Sequence, residues 1–397
     1  ETLYKDMHLS HVAQQMRYGF FGNIDIAIVE ALEITEDGNI IPTTSVGNTP
    51  TYVQEADKVI IEVNTSQPMA LKGMHDIYIP KDPPNREPIP LTNSDDRIGT
   101  EYVPVDIDKV AAVVVTDIKD NSRSLTPIDE DSKKMAGHLI KFFESEVEAG
   151  RLPKNLLPLQ SGVGSVANAI LGGLVDSDFE NIDFYSEVIQ DSVFDLIDAG
   201  KIRVASGTSL TPSKRGVGRL YDNIEEYSKK IILRPQEISN NPETARRLGS
   251  IAMNTAIEVD IYGNVNSTNI MGSRMMNGLG GSGDFARNAF LTVFTTKSIA
   301  KGGDISKVVP FVSHVDHTEH DVDVIVTEQG LADLRGLSPK ERAEEVIQNC
   351  VHPDYKELLR DYHQRAIEET GGKHTPHILE EALSFHTRFK EIGSMKK

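Results

Sequence analysis

Apolar positions in the first third of the chain occur in short runs whose spacing predicts β-strands. Residues 23–41 contain two such runs separated by a turn, and residues 56–64 form a third that is rich in Val and Ile. The centre of residues 108–117 is an unbroken, Val-rich apolar run, which is typical of a strand covered on both faces. Between these strands, the proline-rich residues 80–90 predict an irregular loop.

A helical spacing of apolar residues begins at residue 129. Over residues 129–150, Met135, Leu139 and Phe143 recur on one face of a predicted helix. Predicted strands and helices then alternate, which indicates an α/β fold of layered sheet and helix. The strands are predicted at residues 156–160, 182–187, 201–206, 256–263, 308–313 and 322–328, and further helices at residues 285–293, 338–351 and 355–369.

A change in amino-acid composition between these two parts of the chain predicts a domain boundary. Residues 121–131 are polar and rich in turn-forming residues. We therefore expect one α/β domain over residues 1–124 and a second over residues 125–397. A length of 397 residues allows roughly two to three domains.

Composition and charge narrow the class of protein. Hydrophobic residues make up 39% of the chain and charged residues 25%, as in ordinary globular proteins. A net charge of −19 argues against a nucleic-acid partner, which needs a dense basic surface. No apolar run approaches the ~20 residues that a membrane-spanning helix requires, so no membrane association is expected. The single cysteine, Cys350, excludes a disulfide framework and favours a reducing, cytoplasmic compartment. Because a strand follows soon after Glu1, which is not preceded by an initiator Met, we expect that an opening segment is missing.

The stretch "GLGGSGDFARN" at residues 278–288 matches a dinucleotide-binding fingerprint literally, through Gly278, Gly280 and Gly283. That fingerprint needs an apolar strand directly upstream and an acidic residue ~20 positions later. The upstream segment is interrupted by polar residues, and Asp304, at about the right distance, lies in a predicted turn. The context therefore favours a loop that binds an anion or an oxyanion over one that binds NAD.

A second glycine loop, "SGVGS", lies between a short apolar strand and a helical pattern. Gly162 and Gly164 allow a ligand to approach the backbone, and the free N–H groups of a helix start attract anions. A tight turn between a strand and a helix explains the same residues equally well.

Carboxylates and imidazoles supply the other candidate chemistry. Glu187 and Glu328 each end an apolar strand, at the edge where α/β sheets place their sites. Glu258 and Asp260 alternate with apolar residues instead, which predicts a half-solvated strand face.

His314, His317 and His320 are interleaved with carboxylates, and such a set suits zinc or iron. A polar loop of hydrogen-bonded imidazoles is the alternative interpretation. No G-x-S-x-G motif is present and Cys350 lies late in a helix, so neither a serine nor a cysteine nucleophile is expected.

Long stretches of the chain resemble the acetyl-CoA hydrolase/transferase family, and within it the succinyl-CoA:acetate branch of the class I CoA-transferases. The resemblance covers essentially the whole chain, apart from the opening segment of the family. The stretches that carry it are "MHLSHVAQQMRYGFFGNIDIAIVE", "GMHDIYIP", "LQSGVGSVANAILGGL", "FYSEVIQDSVFDL", "LRPQEISNNPE", "IYGNVNSTNIMGSRMMNGLGGSGDFARN" and "SHVDHTEHDVDVIVTEQGLADLRGLSP".

The resemblance implies two open α/β domains of the class I CoA-transferase type, with a glutamate nucleophile at Glu187. A carboxylate there would attack an acyl-CoA thioester and form an acyl-glutamyl anhydride, followed by a glutamyl-CoA thioester. Asn240 and Glu328 match active-site positions that would orient Glu187 or the acyl group. The backbone amides of Val163 and Gly281 match the oxyanion-binding positions, in loops that also contain the implied CoA-binding residues Gly162, Gly164 and Gly280.

The chain departs from the family at one position, because relatives tend to carry an arginine where Asn121 stands. Lys119 and Arg123 are the candidates to replace its contact with the phosphates of CoA.

The resemblance further implies a homodimer without a metal or other cofactor, in which coenzyme A is a substrate and the partners are acyl-CoA and a small carboxylate. Three alternatives remain: an acyl-CoA hydrolase using the same site, a metal-dependent hydrolase centred on the three histidines, and a CoA-binding module without catalysis.

Overall fold

The computed structural model describes residues 3, 5–122 and 127–396. The described residues form the α-helices α1 (Leu9–Arg17), α2 (Thr49–Glu55), α3 (Glu130–Glu148), α4 (Ser165–Val175), α5 (Asp191–Asp198), α6 (Lys214–Asp222), α7 (Ile224–Tyr227), α8 (Gln236–Ser239), α9 (Pro242–Leu248), α10 (Ser282–Ala286), α11 (Pro339–Cys350), α12 (Pro353–Thr370) and α13 (Ser384–Ile392). They form the strands β1 (Ile24–Ala31), β2 (Glu33–Ile34), β3 (Ile40–Ile41), β4 (Ala56–Asn64), β5 (Val110–Thr116), β6 (Leu159–Ser161), β7 (Ile182–Tyr185), β8 (Val188–Ile189), β9 (Ile202–Gly207), β10 (Ser209–Leu210), β11 (Ile231–Leu233), β12 (Ile251–Thr255), β13 (Glu258–Asp260), β14 (Val265–Asn266), β15 (Asn269–Ile270), β16 (Arg274–Met275), β17 (Leu291–Thr295), β18 (Ile299–Ala300), β19 (Ile305–Ser306), β20 (Val308–Val309), β21 (Val324–Thr327) and β22 (Gly330–Asp333).

A central sheet organises the larger part of the molecule. Its strands lie in the order β11-β9-β7-β6-β12-β17-β21-β22, and all neighbours are parallel except the last pair. The chain moves outward in one direction from β6 and in the other from β12, so the strand order reverses between these two neighbours. In parallel sheets a crevice at the carboxyl ends of such strands is the usual place for a site.

The strand β17 corrects one prediction, because a helix was expected over residues 285–293. The helix α10 ends at Ala286, and the apolar run that follows forms a buried strand between β12 and β21. A short apolar run fits a buried strand and a buried helix equally well, and only the pairing with both neighbouring strands separates the two.

A smaller sheet of three parallel strands, in the order β1-β4-β5, lies in the N-terminal part. Here the expectation that β5 is covered on both faces is wrong, because Val113 is 50% exposed and Val115 is 70% exposed. Consecutive residues of β5 are exposed, so neither face is covered by a packed layer in the described part of the chain, and β5 pairs with β4 alone at the sheet edge. The apolar run therefore predicted the strand correctly, but it did not predict how far the two faces of the strand are exposed.

One buried core connects the two sheets. Ala31 and Val59 from the smaller sheet belong to the same cluster of buried residues as Leu159 and Val293 from the central sheet. A second cluster lies between the central sheet and the C-terminal helices α11 and α12. The proposed boundary near residue 124 falls at residues 123–126, outside the described residues, and stays a prediction.

Local signals in the sequence account well for the helices α3 and α11. The Asp129 side chain accepts a hydrogen bond from the Ser132 N–H (2.9 Å) and caps α3. Ser338 and Glu341 form a reciprocal capping box at the start of α11, next to Pro339. Across the described residues, no helix has the length and apolar character needed to span a bilayer.

Candidate active site

Parallel strand ends bring Glu187 and the first glycine loop to one edge of the central sheet. Gly162 directly follows β6, and Glu187 follows β7 with only Ser186 between. Because β6 and β7 are parallel neighbours, both segments leave the sheet on the same side. Glu187 and Val163 line a cavity of about 720 Å³ at this edge. The sequence-based expectation that Glu187 stands at a carboxyl edge is confirmed.

The Glu187 carboxyl group is largely removed from water. Burial raises the pKa of Glu187, and the neighbouring Asn240 amide offsets part of that rise. The Asn240 side chain is fully buried, and its amide interacts with the Glu187 carboxyl group. Because a buried amide is costly unless it meets a polar group, this pairing suits Asn240 to orient the Glu187 carboxyl group.

The second glycine loop closes on this pair. A Cβ placed on Gly281 would lie 2.2 Å from Asn240 Nδ2 and 3.0 Å from Glu187 Oε2. Only glycine fits such a distance, so the sequence of this loop is explained by the close approach of its backbone to Glu187. The three predicted residues Glu187, Asn240 and Gly281 therefore lie together.

Two backbone N–H groups in these loops are available to a ligand. Among the described residues, neither Val163 N–H nor Gly281 N–H donates to an acceptor, and Val163 is 64% exposed. Gly162 N–H, by contrast, donates to Met253 O (2.9 Å) and serves to hold the loop. Gly164 has a φ of 130°, which other residues rarely adopt, and it sets the sharp turn into α4.

The segment before α1 holds the second glycine loop from outside. The Asp6 carboxylate accepts a hydrogen bond from Leu279 N–H (2.9 Å), and Leu9 N–H donates to Gly280 O (3.3 Å). These contacts join the start of the chain to a loop more than 270 positions later. No pattern in the sequence indicates this role for the segment, although "MHLSH" belongs to the stretches that carry the family resemblance.

A buried carboxyl group completes the attachment of the loop. Ser10 donates to Asp284 through its hydroxyl (2.5 Å) and its N–H (3.1 Å). Burial, together with the charge of Glu187, raises the pKa of Asp284 to about 7, although the hydrogen bonds from Ser10 oppose the rise. The His8 ring packs on Gly283, where a Cβ would lie 2.3 Å from the imidazole.

The three histidines of the "SHVDHTEH" segment do not converge on one point. The His314 ring faces Asp316 (3.3 Å), whereas His317 Nε2 lies 3.1 Å from the Ser282 hydroxyl in the second glycine loop. Burial lowers the pKa of His317 to about 4, so this ring is neutral. His320 is exposed. Within the described ranges, no group of three His, Cys, Asp or Glu residues is arranged to bind a metal ion.

Glu328 and Lys119 do not line the cavity of Glu187. The Glu328 carboxylate accepts hydrogen bonds from the Ser298 N–H (2.7 Å) and hydroxyl, and it is not part of the cavity lining. Lys119 is exposed in the loop after β5 and does not line the cavity either. Arg123 falls outside the described residues. The structure thus does not bring Glu328 or Lys119 together with Glu187.

Glu258 corrects another expectation, because it lies on a buried strand and not on a half-solvated one. Its carboxylate contacts His386 Nε2 (2.8 Å), and it accepts hydrogen bonds from Ser313 and Asn266. Asp260 is fully buried as well, and it binds the backbone of the turn that follows. Alternation with apolar residues indicated the strand, but hydrogen bonds allow both carboxyl groups to be buried.

The chain matches the two family models of the acetyl-CoA hydrolase/transferase N-terminal and C-terminal domains, over residues 1–115 and 216–363. A succinyl-CoA:acetate CoA-transferase of Clostridium kluyveri is 61% identical over 393 residues, which are 99% of this chain and 73% of that protein. An acetyl-CoA hydrolase of Candida albicans is 49% identical over 409 residues, covering 100% of this chain and 78% of that protein.

Two solved structures share the fold at low sequence identity. A 4-hydroxybutyrate CoA-transferase from Porphyromonas gingivalis superimposes with a TM-score of 0.66 and 22% identity, over 90% of this chain and 79% of that one. RipA from Yersinia pestis superimposes with a TM-score of 0.69 and 20% identity, over 93% and 75% of the two chains. The expected class I CoA-transferase fold is confirmed. The chain therefore belongs to the acetyl-CoA hydrolase/transferase family and is an enzyme of the CoA-transferase type.

Proposed function

We propose that the enzyme transfers coenzyme A between an acyl-CoA and a small carboxylate, with succinyl-CoA and acetate as the substrate pair. The observation that carries the proposal is the buried Glu187 carboxyl group, which faces two glycine loops with free N–H groups in one cavity. The Clostridium kluyveri relative, at 61% identity, supports the choice of substrates.

The proposed reaction begins with attack of a Glu187 carboxylate oxygen on the thioester carbonyl carbon. A C–O bond forms, the C–S bond breaks, and CoA thiolate leaves an acyl-glutamyl anhydride. The thiolate then attacks the glutamyl carbonyl carbon, so that the acyl group departs as a free carboxylate and a glutamyl-CoA thioester remains. The second carboxylate repeats these steps in reverse order, which makes the kinetics ping-pong.

Each attack passes through a tetrahedral oxyanion that needs prepositioned donors. Val163 N–H and Gly281 N–H fit this role, because both are free in the described chain. A donor of this kind stabilises the transition state by about 3 kcal/mol. Burial strengthens the hydrogen bond from Gly281 N–H and leaves the Glu187 carboxylate poorly solvated, and therefore more reactive.

Asn240 and Glu328 are proposed to support the nucleophile in different ways. Asn240 would orient the Glu187 carboxylate or an acyl oxygen through its buried amide. Glu328 would act at a distance, through Ser298. The contact of Lys119 or Arg123 with CoA phosphates stays a prediction, and so does the homodimer, which would give twice the chain mass of 43.8 kDa by light scattering.

Hydrolysis of acyl-CoA at the same site is the second candidate, because the Candida albicans relative is an acetyl-CoA hydrolase at 49% identity. The two reactions differ in what resolves the glutamyl intermediate, a second carboxylate or water. Acetate added to the purified enzyme and succinyl-CoA separates them. A transferase produces acetyl-CoA at a rate that rises with the acetate concentration and then saturates. Release of free CoA at a rate independent of the acetate concentration would instead establish hydrolysis.

Peptide mass spectrometry after incubation with succinyl-CoA alone tests the nucleophile. We expect a CoA adduct on the peptide that contains Glu187, because the intermediate has no second acid to release it. Glu187→Gln should abolish the adduct and the turnover. Glu180→Gln, at an exposed position just before β7, serves as the matched control and should retain both. An adduct on Glu258 or Glu328 with Glu187 unmodified would overturn the assignment.

A further inference from the structure

The cavity that holds Glu187 is also lined by two lysines of different exposure. Lys301 is exposed, and its Nζ lies 4.9 Å from the centre of the Phe389 ring. Lys307 is half-buried. In a chain with a net charge of −19, two cations that line the cavity of the nucleophile mark a place for an anionic substrate group.

The Lys307 ammonium group has no partner in the described part of the chain, by ion pair or by side-chain hydrogen bond. The nearest carboxylates, Glu258 and Glu328, are already hydrogen-bonded to His386 and Ser298. Burial and the charge of Lys297 lower the pKa of Lys307 to about 8, while both carboxylates oppose that shift. The group therefore remains mostly protonated at neutral pH without a counter-ion.

The backbone of Lys307 is held at the cavity wall. Lys307 N–H donates to Ser298 O (2.9 Å), and Lys307 O accepts a hydrogen bond from Val259 N–H (2.9 Å). These bonds fix the base of the side chain, from which the flexible stem carries the ammonium group.

The surrounding cavity wall limits what the ligand can be. Residues such as Ile257, Met271 and Ile305 make much of the lining apolar. A largely apolar cavity wall that contains a half-buried cation, Lys307, suits a short carbon chain that ends in a carboxylate. The phosphates of CoA are large and strongly hydrated, and the exposed Lys301 suits them better.

We propose that Lys307 binds the free carboxylate of a dicarboxylic acyl group and so selects succinyl-CoA over acetyl-CoA as the donor. The proposal rests on the proposed function, since it assigns a specificity-determining residue to that reaction. A charge-assisted contact of this kind changes kcat/KM by about 10- to 100-fold.

The test compares two donors, succinyl-CoA and acetyl-CoA, with propionate as the common acceptor. For Lys307→Met we expect kcat/KM to fall about 10- to 100-fold with succinyl-CoA and less than about 2-fold with acetyl-CoA. Retained acetyl-CoA activity then shows that the variant is folded. Lys301→Met is the matched comparison from the same cavity. It should change kcat/KM with both donors by the same factor, so that the ratio of the two kcat/KM values stays at the wild-type value.

A second variant, Lys307→Arg, retains the charge and should keep the preference for succinyl-CoA. The wild-type preference should also weaken as the pH rises through about 8, as the ammonium loses its proton, while Lys307→Arg keeps its preference there.

Equal losses with both donors in Lys307→Met, or no loss with succinyl-CoA, would overturn the proposal. Failure of the wild-type enzyme to form acetyl-CoA from succinyl-CoA and acetate would refute the proposed function instead, so the two failures are distinguishable.

Discussion

At the level of single side chains, the environment of Glu187 explains its proposed reactivity. The carboxyl group is buried, it lies beside the buried Asn240 amide, and the Gly281 backbone approaches it closely. These neighbours exclude water from the carboxyl group and supply polar atoms around it. Among the 60 acidic residues of the chain, these contacts distinguish Glu187 far better than its position after a strand does.

Gly281→Ala should therefore lower kcat by about 100-fold or more, the size of effect seen when an oxyanion donor is lost. The added methyl group would overlap Asn240 Nδ2 and crowd the Glu187 carboxylate. Steady-state kinetics checks this result. Gly172→Ala in α4, where a Cβ meets nothing within 4 Å, is the control and should keep wild-type activity. Full activity in Gly281→Ala would show that this backbone position plays no part in catalysis.

At the level of elements, the most informative contact joins α1 to the second glycine loop. Ser10 and Asp284 are 274 positions apart, yet they form two hydrogen bonds beneath the loop that carries Gly281. His317 holds the same loop from the other side through Ser282. The histidine segment that resembled a metal site is thus part of the support of a backbone donor.

Loss of the Ser10 hydroxyl should act on the chemical step more than on binding. We expect Ser10→Ala to lower kcat about 10-fold with little change in KM, because the loop shifts while the remainder of the cavity stays. Ser10→Thr retains the hydroxyl and should restore most of the rate. Ser145→Ala, on the exposed face of α3, is the control. If KM rises while kcat stays constant, α1 does not position the loop for catalysis.

At the level of the whole molecule, a buried polar junction links the N-terminal part to the central sheet. Arg234, directly after β11, forms a fully buried ion pair with Asp76 and a hydrogen bond to the Ser206 hydroxyl (2.8 Å). Next to it, His75 Nε2 donates to Thr43 O (2.9 Å). The two sheets share one apolar core, and this junction fixes how the chain crosses between them.

His75 should make the stability of the protein depend on pH. Burial lowers the pKa of His75 to about 4, below the value near 6.5 of an unfolded chain. A lowered folded pKa means that its contribution is complete above pH 6.5 and is lost as the pH falls toward 4. When the pH is lowered from 7 to 5, His75 should therefore reduce the free energy of unfolding by about 2 kcal/mol.

Urea denaturation at pH 7 and pH 5 measures that loss. His75→Gln keeps a donor for Thr43 O and cannot be protonated, so its loss of stability over this range should be smaller by about 2 kcal/mol. Asp260 and Asp284 each have a pKa raised to about 7, so their contributions to stability increase as the pH falls, opposite to that of His75. Both proteins contain these two residues, so the comparison between them cancels that effect. Identical pH dependence of the two proteins would mean that His75 does not titrate abnormally.

Local pattern and chain order determined a large part of this protein. The caps and apolar face of α3, the strands β4 and β21, and the position of Glu187 at a strand end all follow from short-range rules, because they depend on neighbours along the chain.

Tertiary structure alone decided the rest. It exposed β5 at a sheet edge, made β17 a strand, buried Glu258, joined Ser10 to Asp284, and placed Lys307 in the cavity of Glu187. Each of these depends on which distant residues share a surface, and a linear pattern does not contain that information. The burial of a side chain, the partner of a charged group and the position of a backbone donor are fixed only when distant segments of the chain pack together.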